Sequence, residues 1–493
     1  MRLFDESRVF AHFAEISKYP RESGNEKAVS DYIKNWADGL GFYVVQDDLW
    51  NLIIKKPASA GNENREAVIL QAHLDMVCEK HSDSTHDFTK DPIELLVDGD
   101  WLHATDTTLG ADNGIGVAIA MAVLEDDTLS HPPLEVVFTV QEETTFAGAA
   151  GVDKSGLEAT CMINLDHAVE HQIIVGSCGG TGVNFLLPVS RMSEIPPGFS
   201  AFQISLKGLK GGHSGEDIHR GRGNAIMMML RLVEGSGARL VSLNGGTNRL
   251  AIPREASAVV VCEDEGALRK AVEETTAILR KEYHTAPGLS VSVEPVSASL
   301  PPLTEESFNR FRSALRAYPN GIVNMSGDME GIVESSDNVG IVETGEDSVK
   351  MVSEIRGAFH STVQDILETI KSIAVLTSAT VESFAPYVPW EFHPDSPFRE
   401  LAVRTYEELY GETMEMLAVH AGLECGFFVA DKPDLDIIAI GPDCENFHAP
   451  EERVSISSAE RVFRFLKELL AHLCKGETGY EQRNDHRKRS DAG

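Results

Sequence analysis

The sequence predicts an α/β protein whose main domain is interrupted by an inserted α+β domain, and three features of the residue pattern predict it. Up to about residue 187, short apolar runs alternate with helical patterns, which is typical of a sheet covered by helices. From about 188 to 388, the pattern changes to strands with one exposed face and amphipathic helices. The alternation of apolar runs and helical patterns returns at 389–475, so the two outer segments are predicted to form one domain.

The individual elements follow from apolar runs and periodicity. In the first segment, strands are predicted at 67–72, 134–140 and 161–165, and a packed helix at 113–126. In the inserted segment, strands are predicted at 197–208, 256–262 and 289–297, and helices at 224–235 and 266–282. In the returning segment, helices are predicted at 395–410 and 457–474 and a strand at 435–440. The polar tail, 476–493, is expected to be disordered.

Composition narrows the function classes. The 493 residues contain 43 Lys and Arg against 77 Asp and Glu, a net charge of −34, which disfavours nucleic acid or an anionic membrane surface as a partner. The longest apolar stretch, around 115–124, is about half of what a bilayer span needs. The first six residues do not resemble a secretory signal, and seven cysteines without a CxxC pair are typical of reduced thiols. We therefore expect a cytoplasmic protein.

Acidic and histidine side chains follow several predicted strands, at the end where α/β sheets bind ligands. They are His73, Asp75, Asp112, Glu142, Glu143, Asp166 and His448. Each has an ordinary alternative explanation: His73 and Asp75 could be solvated loop residues, and Asp112 could cap the following helix. Glu142 and Glu143 could simply be solvent-exposed residues at the point where the chain leaves a buried strand. Together, however, these residues form the nitrogen and oxygen donor set that zinc, cobalt or manganese favours.

The inserted segment contributes further candidates. His213 lies between small residues in Gly-Gly-His-Ser-Gly, where it could donate to a developing oxyanion or be an inert loop residue. The surrounding glycines do not form a phosphate-binding loop, because the GxxxxGK[ST] pattern is missing. Arg249 and Arg356 could each hold a carboxylate through two hydrogen bonds, although surface arginines usually do not.

The order of these motifs resembles that of the two-zinc exopeptidase family, which includes carboxypeptidase G2, aminoacylase-1 and succinyl-diaminopimelate desuccinylase. The resemblance is carried by His73-Leu-Asp75, Gly110-Ala-Asp-Asn-Gly114, Glu142-Glu143, Asp166, Gly211-Gly-His-Ser-Gly215 and His448. Longer segments are similar to the bacterial dipeptidase branch of the family, whose members cleave Xaa-His dipeptides. These segments are 70–77, 86–92, 107–116, 207–215, 251–256 and 420–426. The resemblance covers nearly the whole chain apart from the polar tail.

The resemblance implies a zinc-exopeptidase-like catalytic domain with a central mixed sheet at 1–187 and 389–475, and a lid or dimerisation domain at 188–388. It also implies two divalent metal ions per chain, zinc first, with cobalt or manganese as alternatives. By the family pattern, Asp112 would bridge both ions. His73 and Asp166 would complete one site, and Glu143 and His448 the other.

The family pattern also assigns the catalytic residues. Asp75 would orient His73, Glu142 would be the general base, and His213 would stabilise the oxyanion. The candidate substrate-binding residues are Arg249, Arg356, His420 and Glu424.

The predicted function is hydrolysis of the peptide bond of unblocked dipeptides, including Xaa-His dipeptides, by a metal-activated water. The alternatives are an N-acyl-amino-acid deacylase with the same metal centre and a non-catalytic scaffold that retains the fold. The expected partners are a small peptide substrate and a second copy of the chain, bound through the lid. No nucleic-acid or membrane partner is expected.

Overall fold

The computed structural model describes residues 2–476 and divides the chain into two compact units. The first unit contains the residues up to Gly176, Phe392–Ala418 and the residues from Glu424, and the second contains Ser177–Glu391 and Val419–Leu423. The second unit therefore begins before the predicted boundary at 187, because strand Gly179–Pro188 pairs on both sides with strands of that unit. Its short return at 419–423 was not predicted. The predicted disordered tail lies, from residue 477, outside the described residues.

The first 177 residues contain the strands and helices that begin the first unit. The helices are α1 (Arg2–Glu6), α2 (Arg8–Ile16), α3 (Lys27–Gly39), α4 (Ala111–Glu125) and α5 (Ala147–Gly151). The strands are β1 (Tyr43–Gln46), β2 (Leu52–Lys56), β3 (Val68–His73), β4 (Leu95–Asp98), β5 (Trp101–Ala104), β6 (Leu134–Thr139), β7 (Cys161–Asn164) and β8 (Gln172–Ser177). The buried strands predicted here are present as β3, β6 and β7.

The middle of the chain forms the second unit. Its strands are β9 (Gly179–Pro188), β10 (Ser200–Lys207), β11 (Arg239–Gly245), β12 (Ala256–Cys262), β13 (Ser290–Pro295), β14 (Gly321–Met325), β15 (Val333–Thr344), β16 (Ser348–Gly357) and β17 (Thr380–Tyr387). Its helices are a short 3₁₀ turn (Ile218–Arg220), α6 (Ala225–Ser236), α7 (Glu265–Glu282), α8 (Glu305–Ala317) and α9 (His360–Thr377).

The remaining described elements follow β17. They are α10 (Pro397–Tyr410), β18 (Glu415–Val419), α11 (Cys425–Asp431), β19 (Asp436–Ala439), β20 (Cys444–Glu445), β21 (Arg453–Ser455) and α12 (Ile456–Cys474). Helix α12 begins at a Ser455 cap and buries one apolar face. The predicted return of the α/β pattern is thus present in α10, β19 and α12.

An eight-stranded sheet with the order β1-β2-β6-β3-β7-β19-β8-β18 forms the centre of the first unit. The inner strands β6, β3, β7 and β19 run parallel, whereas β1, β2 and β8 pair antiparallel, which confirms the predicted mixed sheet. The almost wholly apolar helix α4 is buried along most of its length and packs against β3 and α2. Because the four inner strands are parallel, their carboxyl ends meet at one edge of the sheet.

The second unit has a sheet in the order β13-β10-β12-β11-β15-β16-β9-β17, with β14 also paired to β15. Its strand pairs are antiparallel and pack with α6, α7, α8 and α9 around one apolar core. One carboxyl group, Asp337 on β15, is fully buried in this unit. No helix between residues 2 and 476 is both long enough and apolar enough to cross a bilayer.

Candidate active site

The carboxyl ends of the parallel strands bring the predicted donors of the first unit together. His73 is the last residue of β3, Glu142 and Glu143 follow β6, and Asp166 follows β7. His448 lies in the loop between β20 and β21, beyond β19. These positions share one cause, because each parallel strand ends at the same edge and its next residues turn out of the sheet.

Asp112 lies between the two histidines of this cluster. It occupies the start of α4, where its backbone angles are not yet helical, and its peptide bond to Asn113 is cis. Its Oδ1 lies 3.1 Å from Nε2 of His73, and its Oδ2 lies 3.2 Å from Nε2 of His448. The two carboxylate oxygens therefore face different histidines.

Two further carboxylates complete the two halves of the cluster. Oδ1 of Asp166 lies 3.4 Å from Nε2 of His73, and Oε1 of Glu143 lies 3.0 Å from Nε2 of His448. Donor atoms of His73, Asp112 and Glu143 all lie within 4.8 Å of one another, so they could hold a metal ion. Because nitrogen and oxygen donors converge here without a thiolate, the set fits zinc, cobalt or manganese.

Asp75 lies behind the cluster and is completely buried. Its Oδ1 lies 3.3 Å from Nδ1 of His73 and accepts the backbone N–H of Glu142 at 3.1 Å. Its Oδ2 accepts the Ser23 hydroxyl at 2.7 Å and the backbone N–H of Glu143 at 3.1 Å. One carboxylate thus fixes the imidazole of His73 and the turn that carries both glutamates.

The electrostatics of the cluster favour positive charge. Burial alone would lower the pKa of His73, but Asp166, Asp112 and Asp75 raise it well above its usual value. Burial likewise opposes protonation of His448, yet hydrogen bonds to Asp112 and Glu143 raise its pKa to about 10. Burial would raise the pKa of Asp112, but both histidines hold it below its usual value. Sites that stabilise protonated histidines in this way provide the negative potential that a divalent cation requires.

The two adjacent glutamates differ in their surroundings. Burial raises the pKa of Glu142 well above its usual value, and the charges of Asp166 and Glu143 raise it further. Burial and the charge of Asp112 raise the pKa of Glu143 to about 6, although His448 opposes the rise. A carboxyl group with a raised pKa accepts and returns protons readily near neutral pH, which is the property a general base needs.

Glu424, a predicted substrate-binding residue, belongs to the first unit and is fully buried. Its Oε2 accepts hydrogen bonds from the side chains of Gln71 (2.5 Å) and Thr139 (2.6 Å), which lie on β3 and β6. Burial raises the pKa of Glu424 to about 7. The structure therefore places this carboxyl group among core polar side chains of the sheet.

Three other predicted residues form a cluster within the second unit. The buried guanidinium of Arg356 donates to the Tyr387 hydroxyl at 3.0 Å and to the Ser214 hydroxyl at 3.3 Å. Its Nη2 also lies 3.4 Å from Nε2 of His213. His420 is hydrogen-bonded to Ser336 at 2.7 Å. Its carbonyl oxygen would lie 2.2 Å from a Cβ at Gly215, so the His213 loop and the His420 loop are in close contact.

The predicted substrate-binding residues of the second unit differ in charge and in the partners of that charge. Burial lowers the pKa of His420 to about 3, and the charge of Arg356 lowers it further, so His420 is neutral. Arg356 donates to the hydroxyls of Tyr387 and Ser214, and the nearby charge of Glu354 also stabilises its guanidinium. By contrast, Arg249 donates to the buried carboxylate of Glu354 at 2.7 Å, which neutralises its charge locally.

Two buried residues beside the metal cluster were missed by the sequence analysis. Arg21 donates to backbone carbonyl groups of the segments that carry Asp75 and Asp112. Glu452 accepts backbone N–H groups from the residues leading to Asp112. The only signals in the sequence are an arginine after Pro20 and a glutamate four residues beyond His448.

An α/β unit with this donor set and an adjacent glutamate defines a hydrolase of the metallopeptidase type. The chain belongs to peptidase family M20/M25/M40, whose model matches residues 69–472. It is 40% identical over 468 residues to the cytosol non-specific dipeptidase of Escherichia coli K12, covering 94% of this chain and 96% of the relative. These matches confirm the family predicted from the motifs.

Solved structures agree with this assignment. The chain is similar to the aminoacylhistidine dipeptidase from Vibrio alginolyticus, with a TM-score of 0.86 and 37% identity over 95% of this chain and 96% of that one. An aminopeptidase from Bacillus cereus shares the fold, with a TM-score of 0.57 and 15% identity over 94% of this chain and 98% of that one.

Proposed function

We propose that this protein is a metal-dependent dipeptidase that hydrolyses the peptide bond of unblocked dipeptides, including those with C-terminal histidine. The observation that carries the proposal is Asp112, whose two oxygens face His73 and His448 separately at 3.1 and 3.2 Å. A carboxylate shared in this way suits two cations held side by side. The similarity to proteins named as a non-specific dipeptidase and an aminoacylhistidine dipeptidase supports the choice of substrate.

The donor set divides into two proposed metal sites that share Asp112. His73 and Asp166 would hold one divalent cation together with Asp112. Glu143 and His448 would hold the other, also together with Asp112. Zinc is the proposed ion, with cobalt and manganese as alternatives, because all three accept mixed imidazole and carboxylate ligands. When bound, such ions would lower the pKa of the attacking water and polarise the scissile carbonyl.

The protein's own groups perform the proton transfers. Glu142 accepts the proton of the attacking water and returns it to the leaving amine. Asp75 holds the backbone of Glu142 and the ring of His73, so the base and one ligand keep a fixed separation. His213 stabilises the negative charge that develops on the carbonyl oxygen. Two backbone N–H groups lie 3.3 and 3.2 Å from its Nδ1, and Nη2 of Arg356 lies 3.4 Å from its Nε2, so both ring nitrogens are held in place.

The substrate's free carboxylate is proposed to bind Arg356. The hydroxyls of Tyr387 and Ser214 position this guanidinium, whereas Arg249 is paired directly with the carboxylate of Glu354 at 2.7 Å. His420 lines the same cluster as a neutral ring. Because this imidazole is uncharged, it neither repels the substrate carboxylate nor competes with the Arg356 guanidinium for it.

The proposal includes a cytoplasmic homodimer formed through the second unit. The cytosolic assignment is supported by the relative from Escherichia coli, which is named for that compartment. On α9, Val375 and Leu376 are 81% and 84% exposed beside a groove of about 660 Å³ between α8 and α9. Apolar side chains this exposed favour an interface between copies. Light scattering of the wild type and of Leu376→Glu tests it: a dimer that becomes a monomer is expected, and a wild-type monomer would refute it.

The function is tested with Xaa-His dipeptides including carnosine, other dipeptides, a tripeptide and an N-acetyl amino acid. The wild type is assayed with zinc and with a chelator, and Glu142→Gln is assayed with zinc. We expect cleavage of unblocked dipeptides that requires metal and is lost in the variant. Cleavage of only the acetylated substrate would make the protein a deacylase. Metal binding without turnover of any substrate would favour a scaffold.

A further inference from the structure

Arg21 joins two segments of the first unit that carry donor side chains of the cluster, one next to His73 and one next to Asp112. It is only 2% exposed. Its Nη1 donates to the carbonyl oxygens of Leu74 and Asp75, both at 3.1 Å. Its Nη2 donates to the carbonyl oxygen of Gly110, two residues before Asp112. A single guanidinium therefore ties the segment after His73 to the segment before Asp112.

Glu452 also binds the segment before Asp112, by accepting hydrogen bonds from the backbone N–H groups of that segment. Its side chain is buried, and its two oxygens accept four hydrogen bonds. Oε2 accepts the N–H groups of Leu109 and Gly110 at 2.8 and 2.9 Å, and Oε1 accepts those of Ala111 and Asp112 at 2.7 and 3.2 Å. Each N–H group from Leu109 to Asp112 is thus bound by one carboxylate. Hydrogen bonds to an ionised carboxylate are stronger than those between neutral groups.

The glycines of the Asp112 motif make room for this arrangement. Gly110 has φ +69°, and a Cβ there would lie 2.3 Å from Nη2 of Arg21 and 2.7 Å from Sδ of Met76. A Cβ at Gly114 would lie 2.7 Å from the same Nη2. Any larger residue at either position would displace the guanidinium. The close approach between Arg21 and the Asp112 segment therefore requires glycine at both positions.

We propose that Arg21 and Glu452 are positioning residues that fix the backbone at 109–112, so that the two oxygens of Asp112 point to different histidines. The inference rests on the proposed function, in which Asp112 is shared by two metal ions. A bridging carboxylate must present both oxygens in one orientation, and a loop free to rotate would lose conformational entropy each time metal binds. The paired side chains remove that cost by ordering the segment before metal arrives.

The test compares Glu452→Gln, Arg21→Lys and a matched control. Glutamine keeps the shape of Glu452, but its amide nitrogen would face two backbone N–H groups. The control is Glu135→Gln at the opposite end of β6, since Glu135 is also buried and accepts the backbone N–H groups of Glu158 and Ala159. Zn²⁺ binding to each metal-free protein is measured by calorimetric titration, and thermal unfolding is recorded without metal. Kinetic constants are then measured at saturating zinc.

We expect zinc affinity to fall about 10- to 100-fold in Glu452→Gln and by a smaller factor in Arg21→Lys. It should stay within about twofold in the control, even where the control loses as much thermal stability. Unchanged zinc affinity in either test variant, while the wild type binds two ions, would overturn the positioning role. So would a loss in the control equal to that in the test variants, since stability alone would then explain it. Failure of the wild type to bind zinc would instead overturn the proposed function.

Discussion

Replacing Asp75 with asparagine removes one of the two carboxylate oxygens that hold the turn after β6 and the ring of His73. In the wild type, each oxygen accepts one backbone N–H group, from Glu142 to Oδ1 and from Glu143 to Oδ2, both at 3.1 Å. An amide nitrogen cannot accept either bond. Whichever way the asparagine is oriented, one of these N–H groups loses its partner.

The size of the effect follows from that lost bond. A buried donor left without a partner costs about 1–3 kcal/mol. At about 1.4 kcal/mol for each factor of ten, this corresponds to a loss of about 5- to 150-fold in kcat/KM. If the amide nitrogen takes the Oδ1 position, it also faces Nδ1 of His73, which favours the tautomer whose Nε2 carries the proton. That tautomer cannot bind metal through Nε2, so zinc affinity should fall together with activity.

The assay measures kcat and KM for one unblocked dipeptide over a range of free zinc concentrations. Asp126→Asn is the control, because Asp126 is buried at the far end of α4 and accepts hydrogen bonds from Thr128. We expect Asp75→Asn to need more zinc and to keep a lower kcat at saturation, with the control near wild type. If kcat/KM and the zinc requirement of Asp75→Asn both stay within twofold of wild type, the assigned role of Asp75 is wrong.

Three further predictions concern single residues. Glu142→Gln should lower kcat about 100- to 10,000-fold while zinc binding measured by calorimetry is retained, and a near-normal kcat would exclude Glu142 as the base. Arg356→Lys should raise KM for dipeptides about 10- to 150-fold, equivalent to about 1.5–3 kcal/mol, with little effect from Arg249→Lys; the reverse order would reassign the carboxylate site. Burial raises the pKa of Asp337 well above its usual value, partly offset by Ser353, so the folded protein retains a proton that the unfolded chain releases. Stability should therefore fall as pH rises from the ordinary Asp range through the raised pKa. Across that window, Asp337→Asn should gain up to about 1.4 kcal/mol per pH unit over wild type in urea unfolding, and a pH-independent difference would contradict this.

The cluster of donor side chains at the edge of the sheet was predictable because its signal is local. Apolar runs such as 67–72 and 134–140 identify buried strands, and the donors follow them directly in the sequence. Parallel pairing of β3, β6, β7 and β19 then gathers these donors without further information. The predicted helix before Asp126 was also recognisable, because its residues are almost all apolar.

The buried residues that hold the site in place were not predictable, because their contacts are distant in the sequence. Glu452 contacts backbone N–H groups more than 300 residues earlier in the chain, and backbone donors leave no residue pattern to detect. The boundary between the units was placed too late for a similar reason. An apolar strand such as Gly179–Pro188 could join either sheet, and only its pairing with β16 and β17 assigns it to the second.

The most direct test of the central claim is a zinc titration of the metal-free protein during hydrolysis of a Xaa-His dipeptide. Zinc bound per chain and initial rate are measured on the same samples. The proposed arrangement around Asp112 predicts two ions per chain, activity that appears as they bind, and loss of activity on chelation. Full hydrolysis in the presence of chelator, or no hydrolysis with two ions bound, would contradict it.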